Sequence, residues 1–244
     1  MNRPLQSRTL AVLVSLAFIG QGSAQAQEFA QSLDASSKKQ DIDPTTKQGY
    51  IYGPAVWTSG HRRIHVCWEN PESGTAEEMI AVQGAVEQTW QKYSALIFIW
   101  TPKCPPESSG LRIFIEDRAE QGPHTNCAEG DKNKCLGQFL AGVHNGIVLN
   151  FAYQNWGMSC RPSAVYCDRA IAVHEFGHAI GFAHEQNRPD TPGECRKPQG
   201  SPGDTELTSY DKYSVMNYCN DKWNNDGQLS EKDKESLTAV YSTP

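Results

Sequence analysis

The sequence predicts an α+β domain in two parts, and three observations carry that reading. Between about Tyr50 and Phe151, short alternating apolar runs that read as strands accompany one long helical pattern. A second helical stretch then runs from about Asp168 to Gly181. After His184 the chain becomes loop-rich and closes on a final helical pattern. Period-2 and period-3.6 segments sharing one chain are the signature of a sheet covered by helices.

Residues 1–26 read as a secretory signal. Arg3 and Arg8 make a positive start, Leu10 to Gly20 is a short apolar run, and Ala24-Gln25-Ala26 is a small-x-small cleavage site. The run is too short to span a bilayer. Export follows, to the extracellular medium or the periplasm. Residues 27–48 are polar and have little to bury, so they read as a leader or a short prosegment. Residues 49–244 form the folded domain. Arg63 to Trp68 alternates like a strand. Thr75-Ala76-Glu77-Glu78 is a capping box opening a helix. Met79, Val82, Val86, Trp90 and Tyr93 then recur on one apolar face. Ala95 to Trp100 and Leu111 to Glu116 read as strands, and 118–134 as a loop that leaves His124 exposed. Cys135 to Ala141 and Gly146 to Phe151 read as two more strands about the turn Gly142–Asn145, which puts His144 on the surface. Near the end, Ser230 caps a helix with Asp233 three residues on, and Leu237, Val240 and Tyr241 face one way.

Charge and cysteines narrow the class. The formal net charge is −6. Loss of the signal removes two arginines and no acid, which takes it to −8. A net acidic chain argues against nucleic acid as a partner. No other long apolar run exists, so the mature protein is expected to be soluble and without a membrane partner; a monomer is the expected state. All eight cysteines follow the signal and none forms a Cys-x-x-Cys pair. In an oxidising compartment they predict four disulfides. Eight cysteines allow 105 pairings. Cys67–Cys104 and Cys195–Cys219 are favoured because each ties neighbouring elements.

The helical stretch carries the chemistry. It contains His174-Glu175-Phe176-Gly177-His178 and continues to Gly181 and His184. Positions i and i+4 share a helix face, so His174 and His178 can reach one metal ion. Gly181, with no Cβ, can end the helix and let the chain double back, bringing His184 to the same ion. Three neutral imidazoles with one open position suit a single catalytic Zn2+. Glu175 lies about a quarter-turn from His174 and is placed to take a proton from water rather than to bind metal.

The blocks that follow are similar to those of astacins, a metzincin family of zinc peptidases. His184-Glu185-Gln186-Asn187-Arg188-Pro189-Asp190 resembles the family's continuation after the third histidine. Ser214-Val215-Met216-Asn217-Tyr218 resembles its Met-turn, although Asn217 stands where the family usually has histidine. The resemblance implies a two-lobed metzincin fold with a twisted, mostly parallel five-stranded sheet, a backing helix and an active-site helix. An upper lobe of about 49–184 would stand over a loop-rich lower lobe of about 185–244 with a terminal helix. It further implies that Cys135–Ala141 is the antiparallel edge strand above the cleft, where an extended protein or peptide substrate would add. Tyr218 becomes a further zinc ligand that turns to the oxyanion, and Glu185 pairs with an amino terminus freed near Lys47 to Tyr50. A nearby Arg or Lys is the other candidate partner for Glu185. The family's prosegment motif Phe-x-Gly-Asp is absent from 27–48, which leaves Asp34, Asp41 and Asp43 as acidic candidates to block the metal. The expected activity is zinc-dependent endopeptidase. The alternative is a catalytically silent zinc-holding protein-binding module of the same fold, for which Glu175 would have no use.

Overall fold

In the computed structural model, residues 49–116, 118, 122–152 and 164–242 are described. The expected signal and leader lie outside the described residues. The elements run in the order β1 (Gly49–Ile51), β2 (Arg63–Trp68), α1 (Ala76–Val86), β3 (Ile97–Thr101), β4 (Leu111–Glu116), β5 (His124–Thr125), β6 (Ile147–Asn150), α2 (Ala164–Ala179), β7 (Thr205–Leu207) and α3 (Glu231–Tyr241). Five strands form one sheet in the order β3-β2-β4-β6-β5. Its first four members pair in parallel, and β5 runs antiparallel to β6. The expected mostly parallel five-stranded sheet is present.

Its edge differs from the expectation. Cys135–Ala141 is not a strand: Gly137–Leu140 is a 3-10 turn. Gly137 has φ 53°, and a Cβ there would lie 1.8 Å from the Ala55 carbonyl oxygen. A left-handed residue breaks an extended run, and only glycine tolerates that approach. The antiparallel edge is β5, inside the stretch read as loop. Asn126 secures it, its backbone N–H donating to Gly146 and its amide to Asn145.

Helix α1 opens on the predicted box. Thr75 Oγ1 accepts from Glu78 N–H, and the Glu78 carboxylate accepts from Thr75 N–H. The helix runs on into a π turn, Glu87–Gln91, where Trp90 is fully buried and donates its indole N–H to Val173 O at 2.7 Å. The apolar face ends at Trp90. Tyr93 is half-exposed, with the ammonium groups of Lys92 and Lys234 about its ring.

Helix α2 begins upstream of the predicted Asp168, and every residue from Ala170 to Ala179 is buried. Its end is closed carbonyl by carbonyl. Gly181, at φ 99°, reverses the chain, and Phe182 N–H returns to Gly177 O and Gly181 N–H to His178 O. That pair of bonds is the Schellman pattern. The Trp57 indole caps Ala179 O, the Tyr241 hydroxyl caps Ile180 O, and Tyr52 N–H caps Gly181 O. A buried helix end leaves no carbonyl to water, so each needs such a donor.

Strand β1 pairs with β7, and Ile51 bridges to Phe182 just after α2. Helix α3 opens on the predicted Ser230–Asp233 box. Its Leu237 and Tyr241 join the same apolar cluster as Ile64 and Leu111 of the sheet. The structure contains Cys67–Cys104 and Cys195–Cys219, as expected, and also Cys127–Cys135. Cys167 is disulfide-bonded as well.

Candidate active site

His174 and His178 project from α2, and His184 comes back to them after the Gly181 reversal. The His184 Nε2 lies 3.2 Å from that of His174 and 3.1 Å from that of His178. Each ring's other nitrogen meets a backbone carbonyl: His174 Nδ1 at Val215 O, 2.8 Å; His178 Nδ1 at Phe182 O, 2.8 Å; His184 Nδ1 at Gln199 O, 2.9 Å. Those bonds require Nδ1 to carry the proton, so all three Nε2 lone pairs face a common point. The rings are buried, and burial followed by repulsion from neighbouring rings holds His174 down near 3 and His178 well below the usual histidine range. Burial lowers His184 too. Three histidines kept neutral and converging are the donor set that zinc requires. Among the described residues, this is the cluster that could hold a metal ion.

Glu175 is 3 % exposed, and its Oε2 has no hydrogen-bond partner. Desolvation alone pushes its carboxyl up to about 8. It lines a cleft of about 390 Å³ with His178, His184, Tyr218, His124 and Thr125. The Tyr218 ring stacks on His174, and its hydroxyl is 3.0 Å from His174 Nε2. His144, by contrast, is exposed and sits beside Glu69, at 3.4 Å.

Residues 163–194, the segment that includes α2 and all three histidines, match the model of the Astacin peptidase family. Over that segment the chain is similar to astacin peptidases. The likeness to that peptidase family falls where His174, His178 and His184 converge, the cluster able to hold a metal ion. No curated protein matches this chain significantly by sequence. Among solved structures it is similar to myroilysin, with a TM-score of 0.57 and 18% identity over 80% of this chain and 100% of the other. It is also similar to high choriolytic enzyme 1, a hatching enzyme zinc-protease from the medaka fish Oryzias latipes. There the TM-score is 0.50 and the identity 16% over 82% of this chain and 100% of the other. At such identities the likeness shows the shared fold.

The astacin-like Met-turn has a packing reason. Met216 is buried against α2 where Gly177 leaves room: a Cβ at Gly177 would fall 2.3 Å from the Met216 sulfur. Asn217, the departure from the family pattern, is well used. Its amide donates to Asp211 O and to the Tyr210 hydroxyl, and its Oδ1 accepts from Cys219 N–H. Glu185 has its partner within the chain, Arg188 Nε at 3.4 Å, and accepts from Asp211 N–H. Arg188 also donates to Gly49 O, which ties β1 to the segment after the third histidine.

Three contributors escape a reading of the sequence. Asp233 looks like a helix cap, yet it also accepts from Ser214 Oγ and Val215 N–H and so holds the Met-turn. Gln186 accepts the backbone N–H of Tyr218 at 3.1 Å. Gln199 acts through its backbone carbonyl, which no side-chain pattern can reveal. His124 is half-buried in the cleft wall rather than loose in a loop.

Proposed function

We propose that this chain is an exported endopeptidase that holds one zinc ion through His174, His178 and His184 and uses Glu175 as its general base. The observation that supports this most is the meeting of three Nε2 lone pairs beside a buried, unpartnered carboxylate in an open cleft. When bound, zinc polarises a carbonyl and lowers the pKa of water to about 7. Glu175 takes the proton from the attacking water and returns it to the departing amine. A carboxyl that no hydrogen bond holds is suited to both transfers. Burial raises the Tyr218 phenol and keeps it protonated, so it can donate to the developing oxyanion. The substrate is an extended protein segment that adds along β5, the antiparallel edge whose two residues line the cleft. Residues 1–26 direct export, and the polar leader ends before β1.

Glu175→Gln tests the reading. Zinc content should stay at one per chain while casein hydrolysis falls by about 10²–10⁴. Activity within about threefold of wild type, against that range, would remove Glu175 from the chemistry. A wild type that binds zinc and cleaves nothing would make the chain a binding module.

A further inference from the structure

The three histidines are not held alike. The carbonyl partners of His174 and His178 belong to Val215 and Phe182, both buried in the core. The partner of His184 is the carbonyl of Gln199, an exposed residue fifteen positions away on a turn without regular structure. One side chain binds that turn at three points. Asn187 Nδ2 donates to Gln199 O at 2.7 Å and to Ser201 O at 3.2 Å, and Asn187 Oδ1 accepts from Gln199 N–H at 2.9 Å. The amide thus engages both backbone groups of Gln199, as a neighbouring strand would. Gly200, at φ 69°, lies against the imidazole: a Cβ there would be 3.2 Å from His184 Cε1 and Nδ1. The turn continues into the cleft wall, where Ser201 Oγ donates to Lys132 O within the loop closed by Cys127–Cys135.

We infer that the Gln199–Gly200 turn, clamped by Asn187, aims the His184 ring, and that Asn187 is a positioning residue for the metal site. The inference rests on the zinc reading above. Carbonyl partners of metal-binding histidines set ring orientation and ligand basicity. Here that partner, Gln199, has both of its backbone groups held by Asn187, while the Ser201–Lys132 bond anchors the turn two residues further on.

The test uses the full chain loaded with zinc or with Co2+. Asn187→Leu keeps the bulk and removes all three hydrogen bonds. Zinc should pass to a chelator about 10–100-fold more readily, the usual effect of losing such a support. The visible Co2+ bands should shift, kcat should fall with KM unchanged, and the metal-free protein should melt as wild type does. Gly200→Ala, whose added Cβ would press directly on the ring, should act in the same direction. Ser201→Ala, which breaks only the bond to Lys132, should leave zinc retention unchanged. Wild-type zinc retention and Co2+ bands in Asn187→Leu would overturn the inference. So would equal melting losses with and without zinc, which would mark Asn187 as a mere loop staple. If Asn187→Leu fails to fold, Gly200→Ala decides, and wild-type zinc retention there overturns it. A wild type that binds no zinc would overturn the metal reading itself, an outcome distinct from variants that bind as well as wild type.

Discussion

Helix α2 and the turn at 199–201 each serve the same cluster of histidines, and they do so in opposite ways. Helix α2 is buried on every side from Ala170 to its end, and its last carbonyls are taken by Trp57, Tyr241 and the returning chain. His174 and His178 are therefore fixed by the same contacts that hold the fold together. In the 199–201 turn Gln199 and Gly200 are exposed, and the turn orients His184 through a single carbonyl. The contrast teaches that one metal site can draw rigidity from two sources. Damage to α2 should cost stability, whereas damage on the turn side should cost metal or rate and leave the fold standing.

The largest effect is expected at the cleft, on the side away from α2. Tyr218→Phe should fold, keep zinc and lose about 10²–10³ in kcat, the loss of about 2.7–4 kcal/mol typical of one oxyanion donor. Steady-state kinetics check it: a raised KM with unchanged kcat would make Tyr218 a binding residue. Next comes α2 itself. An alanine in a helix normally gains about 1 kcal/mol over glycine. At Gly177 it would meet the Met216 sulfur and Trp90, and overpacking costs about 1–3 kcal/mol. Gly177→Ala should therefore lower Tm by a few degrees, at about 2–4 °C per kcal/mol for a chain of this size. The drop should appear with and without zinc, and an unchanged melt would mean that Met216 can move aside.

The gentlest perturbation is pH, applied to the metal-free protein. The histidines sit below their unfolded value near 6.5, so below that pH the unfolded chain binds more protons and stability falls as pH drops toward about 3. Glu175 sits near 8, above its unfolded value, so its contribution is lost as pH rises from about 4.5 to 8. Metal-free stability should therefore peak at mildly acidic pH, which a melting series would show. A monotonic rise into alkaline pH would contradict the burial of Glu175.

Much of this was legible before the fold was known. Periodicity located β2, β3, β4 and α1, and the capping boxes at Thr75 and Ser230 are both formed. The His-Glu-x-x-His spacing and Gly181 identified the three histidines that meet, because a helix and its reversal are local events. What escaped depends on tertiary contact. The edge strand moved from Cys135–Ala141 to His124–Thr125 because Gly137 had to pass close to Ala55. Glu185 has Arg188 as an ion-pair partner three residues away, one of the two candidates that the sequence offered. The double duty of Asp233 and the carbonyl of Gln199 leave no pattern along the chain, since their partners lie 15 to 19 residues away.

The central claim is that the three converging imidazoles, and no other histidine, hold one zinc ion. Zinc stoichiometry and chelator competition on wild type, His184→Ala and His144→Ala test it most directly. The account predicts one zinc per chain in wild type and in His144→Ala, with loss of zinc at modest chelator concentration in His184→Ala. Equal retention in the two variants would contradict it and place the third ligand elsewhere.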